Sequence, residues 1–169
     1  MMDDGLLVPG GHDGMAAFPE ITKDTTILVR NHEIRAYKKE LPSKDLEKSG
    51  FGEDNRLLKR INSDHLYDSR LNNRPAIGGT TNLVYNTKTN RLEKHFMSLV
   101  GTNNNCAGGP TPWSTWITCD KDTLTSGDNF AEDHGYNFEV TARSITGLTK
   151  IIPLKAMGRF NHEAVAVDS

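Results

Sequence analysis

The chain is poor in the features that usually settle a protein's class at a glance. It has only two cysteines in 169 residues, Cys106 and Cys119, too few for a disulfide framework. No apolar run approaches the length of a membrane span. Neither sign of charge dominates, with 20 Lys+Arg against 22 Asp+Glu, and no basic run marks a nucleic-acid surface. The start, Met1-Met2-Asp3-Asp4-Gly5, has neither a basic nor an apolar leader region, so no signal peptide is visible. Helical patterning is scarce too. Only Lys44 to Lys48 and Asp54 to Asn62 suggest a turn each, and both are short and charged.

What remains is β-type. Hydrophobic content of 36% and a mean hydropathy of -0.56 suit an all-β chain with many loops, or a piece of a larger body. Short runs rich in β-branched and aromatic residues recur: Thr25 to Arg30, Thr81 to Tyr85, Arg91 to Val100, Trp113 to Cys119, Tyr136 to Val140 and Ala164 to Val167. Each is bounded by Gly, Pro, Asn or Asp, which favour turns. The pattern predicts antiparallel meander hairpins. Residues 38–74 carry many charges and few β-branched side chains, and read as a surface insert between strands. The last run heads into a turn with no successor, as in a truncated chain or a fragment.

Four segments carry chemistry. Asn103 to Pro110 joins three asparagines, Cys106 and two glycines with little side-chain bulk, and predicts a loop. It could bind an anion through backbone N–H groups or a transition metal through a thiolate; a tight turn over a buried cysteine is the plainer alternative. In Trp113-Ser114-Thr115-Trp116 the rings fall on opposite faces of an ideal strand, Cys119 reads as core, and Asp120 is a ligand or a turn former at the strand end. Arg30-Asn31-His32-Glu33 and Arg159-Phe160-Asn161-His162-Glu163 repeat a cation, an amide, an imidazole and a carboxylate. In extended backbone each His and its Glu point to opposite faces, so they do not ligate one ion together. Glu33 and Glu163 are metal candidates, and Arg159 could clamp a phosphate. Asp13 in His12-Asp13-Gly14 reads as a turn former or a peripheral cation ligand, and His134 to Val140 as a turn and strand with a structural role.

These segments resemble the PhoX-type bacterial alkaline phosphatases. The most specific are Asn105-Cys106-Ala107-Gly108-Gly109-Pro110-Thr111-Pro112-Trp113 and Met157-Gly158-Arg159-Phe160-Asn161-His162-Glu163-Ala164. The resemblance implies a β-propeller, of which residues 1–169 would be the N-terminal portion, the first blades. It implies hydrolysis of small-molecule phosphate esters at a cluster of ferric iron (Fe3+) and calcium (Ca2+). Cys106 and Glu163 match iron ligands, Arg159 is the candidate for substrate phosphate, Glu33 a member of the metal shell, and Asp120 a further metal candidate. It also implies a periplasmic or secreted monomer. The alternative is a non-catalytic propeller fragment that binds a cation or a phosphate. Two departures stand out: the family has a second acidic residue where Lys121 stands, a calcium ligand by its appearance, and a glycine where Ser114 stands.

Overall fold

The computed structural model describes residues 1–19, 24–35, 48–52, 54–69, 75–127 and 130–168. Its regular structure is all-β apart from short 3-10 turns. Sheet A is a four-stranded antiparallel meander of β1 (His12–Pro19), β2 (Thr25–His32), β3 (Gly78–Asn86) and β4 (Arg91–Thr102), in that order. Sheet B orders β5 (Asn105–Pro110), β6 (Thr115–Asp120) and β7 (Asn137–Thr141) the same way. Neither sheet closes into a barrel or propeller among the described residues.

Alternation builds the core. Ile27 and Val29 of β2 face inward with Phe18, Val84, Phe96 and Leu99, and meet Trp116, Phe138 and Val140 of sheet B. A second cluster covers the other face of sheet A: Met97, Val100 and Ile77 pack against Met2, Leu6, Ile34, Phe51 and Leu57. Within residues 38–74, the described part also packs on the core. It buries Phe51, Leu57 and Asp68, because a second apolar face of the sheet needs a cover. The N-terminus caps the outer edge of β4, where the Asp3 and Asp4 carboxylates accept from the backbone N–H groups of His95 and Met97 at 2.7 Å each.

Five of the predicted strands correspond to β2, β3, β4, β6 and β7. His12 to Phe18 is also a strand, and its Asp13-Gly14 pair lies in a register shift between His12 and Met15 rather than in a hairpin turn. The predicted loop after Asn104 is strand β5. Its glycines serve close packing: a side chain on Gly108 would come within 1.9 Å of the Ile117 carbonyl oxygen. Conversely, Ala164 to Val167 carries no ladder bonds. It crosses β5 with the Val165 carbonyl on Gly109, where an added Cβ would lie 1.9 Å from that oxygen. The expected turn in Asp54 to Asn62 is a 3-10 turn, Leu58–Arg60. Of Lys44 to Lys48, only Lys48 lies within the described residues.

Candidate functional site

The site is organised by Asn31, whose side chain is fully buried at the inner face of β2. Its Nδ2 donates to the carbonyls of Cys106 (3.1 Å) and Ala107 (2.9 Å). Its Oδ1 accepts from Trp116 Nε1 and Thr118 Oγ1, both at 2.9 Å. All four hydrogen-bonding positions of the amide are used. One residue thus fixes β5 against β2 and β6 and sets the position of Cys106.

Cys106 is buried, and its single S–H faces the carbonyls of His162 (3.8 Å) and Glu163 (3.6 Å). The two motifs are 56 residues apart in sequence yet touch here. Burial pushes the thiol up to about 11, so it is protonated at neutral pH. The Glu163 carboxylate interacts with that thiol and lies 2.7 Å from the Lys121 ammonium. The hydrogen bond to Lys121 holds the Glu163 carboxyl below its ordinary range, and the same bond raises Lys121. Glu33 also lies in the field of Lys121. Burial, followed by a hydrogen bond with Asp13, raises Glu33. Cys106, Glu163 and Glu33 therefore all lie in the electrostatic field of Lys121, and Asp13 interacts with Glu33.

The repeated Asn-His-Glu segments behave as alternation predicts. Both histidines are buried, while Glu33 is half-buried and Glu163 exposed. His32 bonds the Gly10 carbonyl and the Thr81 hydroxyl, and burial lowers it to about 3. His162 contacts Asn137 and the Gly158 carbonyl, each at 3.3 Å. Of the tryptophans, Trp116 is buried, while Trp113 is 60% exposed and bonds Glu139 at 2.6 Å.

Asp120 ends β6 as expected, but it is fully buried. Its Oδ2 is 2.6 Å from His134 Nδ1, and His134 Nε2 is 3.0 Å from Asp68 Oδ2. Burial opposes charge on His134, but the two carboxylates outweigh it and raise the imidazole to about 9. Asp120 Oδ2 also accepts from the Asn103 N–H at 3.3 Å, which ties the pair to the turn before Cys106. This Asp68–His134–Asp120 chain was not evident in the sequence, because its members lie far apart and only packing joins them. Arg159 is placed away from Cys106 in its bonding. Its guanidinium donates to the carbonyls of His134 (2.8 Å) and Leu124 (2.7 Å) and to the Thr125 hydroxyl (3.1 Å).

The chain matches the family described as alkaline phosphatase PhoX over residues 2–169. It belongs to that family. Neither the curated proteins nor the solved structures gave a match. PhoX membership implies a phosphatase and a metal centre, and the residues present can be tested against both expected metals. A thiol beside a carboxylate, Cys106 and Glu163, suits iron in donor type, and the metal would displace the thiol proton. Among the described residues no three His, Cys, Asp or Glu side chains gather closely enough to hold an ion, so neither metal has a full set of such ligands among them. Calcium, which takes about 6–8 oxygen ligands, is the poorer match. An ammonium already stands on Glu163.

Proposed function

We propose that this chain is part of a phosphomonoester hydrolase in which Cys106 and Glu163 hold a ferric ion and Glu33 faces the same site. The observation that carries it is the contact between the Cys106 thiol and the Glu163 backbone, which joins the two family-specific segments. Bound iron would supply a Lewis acid that offsets negative charge on the phosphate oxygens. The protein's own part is positioning. Asn31 fixes the Cys106 strand, and the C-terminal segment brings Glu163 over it. Lys121 presents a cation beside them that suits the charge of a small-molecule phosphate ester. Arg159 donates to Leu124, Thr125 and His134, bonds that favour a structural role over a grip on the substrate phosphate. The two meander sheets serve as first blades of a propeller, whose blades are short antiparallel sheets of this kind. A periplasmic or secreted monomer completes the proposal.

The second reading is a propeller that binds a cation or phosphate without turnover, and Lys121 is the observation that favours it. One assay separates the two: release of p-nitrophenol from its phosphate by chain reconstituted with ferric iron. Turnover is expected, with Cys106→Ala and Glu163→Gln each lowering it at least about 100-fold through loss of the metal. Iron-dependent turnover that survives Cys106→Ala overturns the assignment. No turnover from chain that retains iron favours the binding-only reading.

A further inference from the structure

The mismatch between this site and calcium has a specific origin. Asp120, the last residue of β6, turns inward to His134, and the residue after it meets the C-terminal segment. That residue is Lys121. Its side chain is only 32% exposed, and Nζ lies 2.7 Å from Glu163 Oε2. The ammonium also lies in the electrostatic field of Cys106 and Glu33. It follows the last residue of β6 and is held by Glu163, and it occupies the charge position that a bound cation would need. A second cation beside it would meet like-charge repulsion and one fewer available carboxylate oxygen.

We infer that Lys121 is a tethered cation that takes the place of calcium at this site and keeps divalent cations from binding Glu163. The inference rests on the reading of this site as the family's metal centre. Lys121 is therefore a residue that sets metal composition: its ammonium occupies the position beside Glu163 that calcium would need.

The test is calorimetric titration of calcium chloride alone into the full chain and into Lys121→Gln, Lys121→Glu and the double variant Lys121→Glu/Glu163→Gln. Thermal melting beforehand checks that each is folded. The wild-type chain is expected to bind calcium weakly. Lys121→Gln, which removes the charge without adding a ligand, strengthens binding, and Lys121→Glu strengthens it at least about tenfold, since affinity follows the charge and number of ligands. The double variant loses most of that gain. Equal calcium affinity in the wild type and both single variants overturns the inference, as does a gain that survives loss of Glu163. Calcium binding by none of the proteins also overturns it, while iron retention by the wild type, measured separately, would leave the phosphatase reading standing.

Discussion

Asn31 carries more structure than any other polar side chain near the site. It satisfies two carbonyls of β5 and two donors of β6 at zero exposure. Asn31→Ala leaves these groups buried without partners and is expected to cost about 2–4 kcal/mol, read as a fall in the urea midpoint. A change within error would mean that water or a neighbour replaces the amide. His134 makes a similar case. Removing it leaves buried Asp120 without its imidazolium, so His134→Ala is expected to destabilise by about 3–5 kcal/mol, measured by the same unfolding curve. Cys106 and Glu163 stood out in the sequence because each lies in a long contiguous motif, and the fold brings the two segments into contact. His134 was legible only as a structural residue. Its partners Asp68 and Asp120 lie 66 and 14 residues away, and no local spacing announces them.

At the scale of elements, the alternating strands β2, β3, β4, β6 and β7 were readable, because one face of each packs on the core. Strand β5 was not. Gly108 and Gly109 resemble loop formers until the Ile117 and Val165 carbonyls are seen against them. Ala164 to Val167 has strand composition, but it lies across β5 and joins no ladder. That crossing holds Glu163 over Cys106. Gly109→Ala should lift it, at about 1–3 kcal/mol of stability. It should also expose the Cys106 thiol to a thiol reagent faster than in the wild type. Unchanged labelling, with stability retained, would show that the segment is not held by this contact.

For the whole molecule, the class and the antiparallel meanders followed from composition and turn spacing. The cover that residues 48–69 give the second face of sheet A did not, because their charged sequence hides Phe51 and Leu57. Three of the buried histidines, His134, His32 and His95, give the fold a stability profile in pH. His134 is raised to about 9, so its contribution is complete below the unfolded value of about 6.5 and declines as pH rises through 9. The groups around it are Asp68, Asp120 and Tyr67, with the Phe130 ring at its edge. His32 and His95 are lowered by burial to about 3 and 4, so their contribution is complete above about 6.5 and declines as pH falls. Thermal melting across pH should therefore peak near neutrality, close to about 6.5. His134→Asn should flatten the alkaline limb. A steep alkaline limb in that variant would remove His134 as its cause.

In the proposed function, Cys106 and Glu163, brought together by the fold, hold iron. The most direct measurement is the iron content of purified chain after reconstitution with ferric iron and desalting, compared with Cys106→Ala. Near-stoichiometric iron in the wild type, lost in the variant, is the predicted result. A wild-type chain that retains no iron, or a Cys106→Ala chain that keeps as much, would contradict it.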